Sequence, residues 1–230
     1  MRIAIAAVRL VLAVLILAAI VATYIETANR NGGPPNPFNF FGYFTIQSNI
    51  LGALALTASG ILLLRGRRGP GWIPDFRGAV VAYLAVVGVV YAVLLAPLGV
   101  EGGVPVPWAN TVMHLVSPIA IALDWILVAD RPPLRWRRLW VCLPYPAVWL
   151  AVVLARGASD GWVPYPFLNP DRGAAAVAIV CVGIAIAILV AAALATALSR
   201  VRLLLADSTD TMKRRPGAAQ TRDAREGAAV

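Results

Sequence analysis

The hydrophobic residues of this chain fall into six long runs separated by short polar or proline-rich connections. Each run holds about 20 residues, enough helix to cross a hydrocarbon core about 30 Å thick. Membrane-spanning strands would instead alternate apolar and polar residues over about ten positions. The pattern therefore predicts an all-α polytopic membrane protein with six transmembrane helices, at residues 10–28, 43–64, 78–100, 108–129, 139–155 and 173–198.

The basic residues are distributed unevenly among the connections. Of the 20 Lys and Arg residues, only Arg30, Arg156 and Arg172 lie in connections on one side of the predicted bundle. Because cytoplasmic connections are enriched in Lys and Arg, both termini are predicted to be cytoplasmic. A cleaved signal peptide is an alternative interpretation of the first 25 residues, since a basic start precedes an apolar stretch. Cleavage would, however, break the alternation of charge.

Composition supports a multi-pass protein of the cell membrane. A hydrophobic fraction of 60% and a charged fraction of 13% exclude a soluble domain. The net charge of +9 is explained by topology rather than by nucleic acid, because the basic residues flank apolar runs. Residues 1–198 form the predicted transmembrane domain, and residues 199–230 are predicted to be a disordered basic cytoplasmic tail. Cys142 and Cys181 lie inside apolar runs and are expected to be reduced packing residues rather than a disulfide or metal site.

The three connections on the predicted outer side are rich in proline, glycine and aromatic residues: NGGPPNPFNFFGY, EGGVPVPW and GWVPYPFLNP. Such segments are typical of an interfacial aromatic belt. Stiffened by proline, they could also form an ordered rim around a cavity that lipids enter. Trp162 and Tyr165, in the third connection, are therefore candidate substrate-binding residues.

Two of the spans carry polar residues near their outer ends. The second begins with Thr45, Gln47, Ser48 and Asn49, and the fourth has Asn110 and the only histidine, His114, on one helical face. Polar groups at membrane depth are costly and often mark function. Two structural alternatives remain: Thr45 bonded to the carbonyl four residues earlier, and a neutral His114 satisfied by a neighbouring helix.

Thr45 and His114 are predicted to lie at similar depths, because both enter from the outer side within the first two turns of their spans. A hydroxyl beside an imidazole is the minimum equipment for nucleophilic acyl transfer. One histidine is too few for a bis-histidine haem or a typical zinc site, so no cofactor or metal is expected. Asp124 lies about 15 Å from His114 along the helix and is interpreted as an inner-interface residue. Glu26 is either an orienting carboxylate for His114 or an exposed interfacial residue.

Three segments together resemble the androgen-induced-gene-one-like family, especially its six-span bacterial branch. These are FFGYFTIQSN at 40–49, NTVMHLVSP at 110–118 and GWVPYPFL at 161–168. Animal members hydrolyse fatty acid esters of hydroxy fatty acids with an essential threonine and histidine. The resemblance implies these roles for Thr45 and His114. It departs from the animal pattern at Thr111, where those proteins have a second histidine.

The sequence therefore predicts a lipid ester hydrolase with Thr45 as nucleophile and His114 as base, acting near the outer leaflet on a membrane lipid or fatty acyl ester. Candidate oxyanion or substrate-binding residues are Asn49, Asn110, Gln47, Ser48, Glu26, Trp162 and Tyr165. A non-enzymatic lipid-binding or transport protein with a headgroup site at the same residues is the alternative. A proton-coupled transporter is disfavoured, because His114 and Asp124 are too far apart to relay a proton.

Overall fold

The computed structural model describes residues 1–67, 69–102, 104–201 and 203–204. All regular structure in these ranges is helical, and six helices are long and apolar enough to cross a membrane. We number them α1 Arg2–Asn31, α2 Phe44–Leu64, α3 Ile73–Gly99, α4 Pro107–Leu127, α5 Trp136–Ser159 and α6 Ala174–Leu198. A one-turn helix, Pro37–Phe40, lies between α1 and α2.

The six predicted spans are confirmed, although α1, α3 and α5 begin before the predicted first residues. Helix α1 begins at Arg2, about two turns before Arg9. Arg9 was expected to flank the first span but is buried within it. A charged side chain is tolerated there because carboxylates satisfy it, as described below. The cytoplasmic orientation of the termini stays a prediction. Most of the predicted disordered tail, residues 205–230, lies outside the described residues.

Two of the helices contain a wide π-type turn just before an internal proline. In α3 the π segment Tyr91–Leu95 precedes Pro97, and in α4 the π segment Val112–Val116 precedes Pro118. Proline has no N–H, and its ring clashes with the carbonyl four residues earlier, so a wider turn relieves the clash. Each π turn leaves carbonyl groups available to other partners. Both turns lie toward the predicted outer end of the bundle.

Helix α3 is the centre of the bundle and packs against α2, α4 and α6, while α1 packs along α2. Gly88 allows α3 to approach α4 closely, since a Cβ there would lie 3.4 Å from the His114 carbonyl oxygen. Helix α5 is different. Only Val153 is buried in Pro144–Ser159, and α5 has few close backbone contacts with the other helices. The space between α5 and its neighbours contains a cavity, described below.

A buried ion cluster joins four elements at the predicted inner end. Arg9 contacts Asp124 at 2.8 Å and Asp130 at 2.5 Å, and Arg77 contacts the same carboxylates at 3.1 and 2.9 Å. Burial alone would raise the pKa of Asp130, but Arg77 and Arg9 outweigh it and hold that pKa at about 2. Asp124 belongs to this cluster, at the end of the bundle that is predicted to be the inner one. Arg9 and Arg77, expected to be interfacial topology signals, are instead structural ions.

We expect Asp130→Asn to lower the free energy of unfolding by about 3 to 5 kcal/mol, because it leaves two buried guanidinium groups with one carboxylate. Because the pKa of Asp130 is lowered on folding, its contribution exists above pH 4 and disappears as the pH falls toward 2. Equilibrium unfolding in detergent, scanned over pH, measures both effects.

The matched control is Asp75→Asn, which breaks the pair between Asp75 and the exposed side chain of Arg138. Asp75 is 14% exposed, but the Arg138 side chain is 48% exposed and stays in contact with water, so we expect this pair to contribute less than about 1 kcal/mol. Equal destabilisation by the two substitutions would contradict a structural role for the buried cluster.

Candidate active site

A cavity of about 440 Å³ lies at the predicted outer end of the bundle. Its walls come from α1, α2, α4, Leu95 of α3, and the connections before α2, α4 and α6. Thr45 and His114 both line this outer cavity, so the structure brings the two sequence-predicted residues to one space. The proline-rich connections therefore form part of a cavity wall, as one of the two sequence interpretations proposed.

Thr45 is the second residue of α2 and is held by a residue from the α5–α6 connection. Its backbone N–H donates to the Tyr165 hydroxyl oxygen at 3.2 Å, and its own hydroxyl lies 3.3 Å from the same atom. The alternative that Thr45 bonds to its own helix is therefore wrong. Thr23 and Thr27, which also line the outer cavity, do bond to carbonyls four residues earlier. Thr45 differs from them because it is the second residue of α2, so that Phe41, four residues before it, lies outside the helix. The Phe41 carbonyl accepts from Gln47.

Tyr165 is fixed between Pro164 and Pro166 and stacks on Phe167, with ring centroids 5.1 Å apart. Burial raises the pKa of its phenol to about 12, so the group stays neutral at physiological pH. A neutral phenol has one proton to donate. Tyr165 therefore presents a fixed hydrogen-bond donor next to the Thr45 hydroxyl.

His114 lies in the π turn of α4 and is 5% exposed. Its Nδ1 lies 3.1 Å from the carbonyl oxygen of Asn110. Because a carbonyl only accepts, Nδ1 carries the proton in this bond and Nε2 is left with a lone pair. The ring stacks on Tyr91, with centroids 4.1 Å apart and planes inclined by 20°. Among the described residues no hydrogen bond joins His114 to Thr45.

Tyr91 was not predicted from the sequence, although it connects two predicted residues. Asn110 Nδ2 donates to the Tyr91 hydroxyl at 2.6 Å, while Asn110 Oδ1 accepts from the backbone N–H of Val104 at 3.3 Å. The ring of Tyr91 and the backbone of Asn110 thus hold His114 from two directions. A sequence signal existed: the prolines of α3 and α4 indicate a disrupted turn in each helix at this depth.

Asn49 is fully buried and ties α2 to the π turn of α4. Its amide nitrogen donates to the carbonyls of Thr45 at 2.9 Å and Met113 at 3.1 Å. Its amide oxygen accepts from Ser117 Oγ at 2.5 Å. All of its hydrogen-bonding groups are therefore used within the protein, and neither Asn49 nor Asn110 lines the outer cavity. Both amides position other groups.

The remaining candidates have separate locations. Gln47 donates to the Phe41 carbonyl and accepts from Tyr145, and Ser48 is fully buried away from the outer cavity. Glu26 pairs with the exposed Arg30 at 2.8 Å, and within the described part of the chain it forms no hydrogen bond with His114. Trp162 lines the outer cavity and packs edge-on against Tyr43.

A second cavity, of about 300 Å³, lies between α5 and the helices α2, α3 and α6. Its wall is almost wholly apolar, so we call it the apolar cavity. Thr45, Tyr165 and Leu95 line both cavities. Thr45 therefore lies at the junction between a polar space and an apolar one.

A family-wide sequence comparison matches residues 83–201 to the FAR-17a/AIG1-like protein family. The chain belongs to this family. The resemblance seen in the sequence is thus confirmed, while assignment to a bacterial branch stays a prediction. No curated protein and no solved structure matches the chain.

The FAR-17a/AIG1-like match includes some site residues and leaves others out. Tyr91, Asn110, His114 and Tyr165 lie within it, whereas Thr45 lies before its first residue. Family membership and the six apolar helices together identify a multi-pass membrane protein. The family match therefore does not include Thr45. The case for Thr45 as a site residue rests on its position in the outer cavity and on the resemblance carried by the FFGYFTIQSN segment.

Proposed function

We propose that this FAR-17a/AIG1-like protein is a membrane-embedded hydrolase of lipid carboxylic esters, acting on the outer side of the cell membrane. One observation carries the proposal: Thr45 and His114 line the same cavity, and at Thr45 that cavity meets an apolar one. A lipid ester has a polar bond attached to a hydrocarbon chain. The outer cavity and the apolar cavity meet at Thr45, so they can hold the polar and the hydrocarbon parts of such an ester. Fatty acid esters of hydroxy fatty acids are the candidate substrates that the family resemblance suggests.

His114 is suited to act as the general base. Because the Nδ1–H group donates a hydrogen bond to the Asn110 carbonyl, Nε2 carries the free lone pair of the ring. The backbone carbonyl here replaces the carboxylate that orients histidine in many hydrolases. Direct contact of Nε2 with Thr45 forms when substrate is bound, since catalytic hydrogen bonds are often long in empty sites and shorten in the reacting complex.

Tyr165 is the best candidate for the oxyanion donor, because Asn49 and Asn110 are engaged elsewhere. Its hydroxyl lies 3.3 Å from the Thr45 oxygen. When Thr45 attacks an ester, the carbonyl oxygen is two bonds from the Thr45 oxygen and so comes close to this hydroxyl. The first backbone N–H groups of α2 have no partner in that helix, and the helix dipole is positive at this end. Both features favour negative charge developing beside Thr45.

The reaction then proceeds in two balanced halves. The Thr45 oxygen attacks the ester carbonyl carbon and gives its proton to His114, and the tetrahedral intermediate expels the alcohol, which takes that proton. A water molecule then attacks the acyl-threonine while His114 accepts its proton. Release of the fatty acid returns the proton from His114 to the Thr45 oxygen.

A second candidate function is lipid binding without catalysis. The observation that favours it is the Thr45 hydroxyl, which contacts Tyr165 rather than His114 within the described residues. In that case the same groups would hold a polar headgroup.

A fluorophosphonate probe distinguishes the two functions, because it reacts only with an activated hydroxyl. We expect purified protein in detergent to be labelled at Thr45, as located by mass spectrometry, and labelling to be lost in His114→Ala. Thr27→Ala is the matched control, since Thr27 lines the same cavity but bonds to its own helix. Folded protein that stays unlabelled would favour the lipid-binding function.

A further inference from the structure

The apolar cavity has the size and the lining of a hydrocarbon site. Apart from Thr45 and Tyr165 at one end and the thiol of Cys181, its wall consists of apolar and aromatic side chains. The indole N–H of Trp149 is already donated to the Gly42 carbonyl. Apolar cavities of this kind stay dry and take up hydrocarbon. A volume near 300 Å³ holds about ten groups of the size of a water molecule or a methylene.

The cavity extends inward from the Thr45 hydroxyl. On α6 it is lined from Cys181 to Ile188, a rise of about 10 Å along the helix. Ile184 lies between them on the same wall. The cavity is therefore elongated along the bundle axis, and among the described residues its hydroxyl-bearing lining residues, Thr45 and Tyr165, lie at the outer end. A single extended chain fits this shape better than a bulky ring.

The cavity also has a rim that faces outward between α5 and α6. Ala147 on α5 and Ala185 on α6 both line it and are both exposed. In a membrane-spanning bundle, exposed apolar residues at this depth face lipid. Helix α5 makes few close backbone contacts, so the gap between these two small residues is not filled by a helix interface.

We propose that the apolar cavity is the acyl-chain subsite of the ester, entered sideways from the membrane between Ala147 and Ala185. This rests on the proposed function only for the chemistry at Thr45. With the chain in the apolar cavity, its carbonyl carbon lies at the Thr45 hydroxyl, and the alcohol part lies in the outer cavity. The outer cavity suits a polar alcohol, because it is lined by Arg30, Asn36 and Asn39.

Photo-crosslinking tests the subsite without requiring turnover. The probe is a free fatty acid that carries a diazirine in its chain, added to the full-length protein in phosphatidylcholine vesicles. We expect saturable crosslinks at Cys181, Ile184 and Ile188, also in Thr45→Ala, and their loss when unlabelled fatty acid is added in excess. Crosslinks confined to the lipid-facing residues Val182 and Ile186 would overturn the proposal.

Ala185→Phe supplies the matched variant, because its ring fills part of the cavity. Crosslinking should fall about tenfold, since the ring takes the space of several methylene groups. The control is Ala178→Phe, an exposed alanine on the same helix that lines neither cavity. Ala147→Phe, with Ala151→Phe as its control, repeats the test from α5. Equal crosslinking in Ala185→Phe and Ala178→Phe would overturn the proposal.

Turnover separates this inference from the proposed function. In Ala185→Phe the ratio of decanoyl to butyryl ester turnover should fall about tenfold relative to Ala178→Phe. An unchanged ratio with active enzyme would reject the subsite and leave the hydrolase standing. No turnover in any variant, together with saturable crosslinks at the cavity residues, would reject the hydrolase and support the acyl site.

Discussion

Thr45→Ala and His114→Ala are each expected to abolish ester cleavage, and the double variant should be no worse than either single one. Thr45 supplies the attacking oxygen and His114 removes its proton, so neither works alone in the proposed mechanism. Residues that act as one unit show this non-additivity in kcat. The measurement is hydrolysis of a fatty acyl ester by purified protein, normalised to the folded fraction.

Thr45→Ser and Thr27→Ala provide the controls for this pair. The serine variant keeps the hydroxyl but loses the β-methyl group that restricts its rotamer, so part of the turnover should remain. Thr27→Ala removes a hydroxyl from the same cavity wall and should leave turnover intact. Full activity in well-folded Thr45→Ala would reject the threonine mechanism. Additive losses of stability with normal turnover per folded molecule would mean that both residues only pack.

The positions of the six helices could be predicted from the sequence because hydrocarbon thickness fixes the length of a spanning helix. The approach of Thr45 to His114 could be anticipated for the same reason, since depth follows from counting residues along two helices with the same direction. Asp124 could be excluded from the site by that arithmetic as well. These arguments use only distances along a helix axis.

Contacts across helices could not be predicted in this way. Arg9 resembles any basic residue that flanks a span, and only the packing of α1 against α4 shows that it is buried between Asp124 and Asp130. The partner of Thr45 comes from 120 residues away, in a connection whose aromatic residues also suit a membrane interface. Rotation about each helix axis decides such contacts, and hydropathy does not specify it.

The π turn of α4 explains why Asn49 does not line the outer cavity. An asparagine near a catalytic pair is a natural oxyanion donor, and Asn49 has the right position in the sequence. The π turn before Pro118 leaves the Met113 carbonyl without a backbone N–H partner in α4, and Asn49 donates to it. The amide oxygen of Asn49 accepts a hydrogen bond from the Ser117 hydroxyl. An asparagine with every group satisfied inside the protein has no donor left for substrate.

Tyr165→Phe is expected to lower kcat by about 10² to 10³ with little change in KM, because one donor to a developing oxyanion is lost. The substitution keeps the ring that stacks on Phe167 and removes only the hydroxyl beside Thr45. With a pKa of about 12, the phenol keeps its proton from pH 6 to 9, so the loss should be constant over that range.

Tyr83→Phe is the matched control, because it removes another buried phenol hydroxyl, which donates to the Cys142 carbonyl at 2.9 Å. Tyr165→Phe loses two buried hydrogen bonds, to the backbone N–H and the hydroxyl of Thr45, and Tyr83→Phe loses one, so their stabilities should fall by about 2 and about 1 kcal/mol. Only Tyr165→Phe should change kcat, since Tyr83 lines neither cavity. Equal kcat values in the two variants would mean that Tyr165 holds the backbone of Thr45 in place without touching the reacting carbonyl, and the oxyanion donor would then have to be the N-terminal backbone of α2.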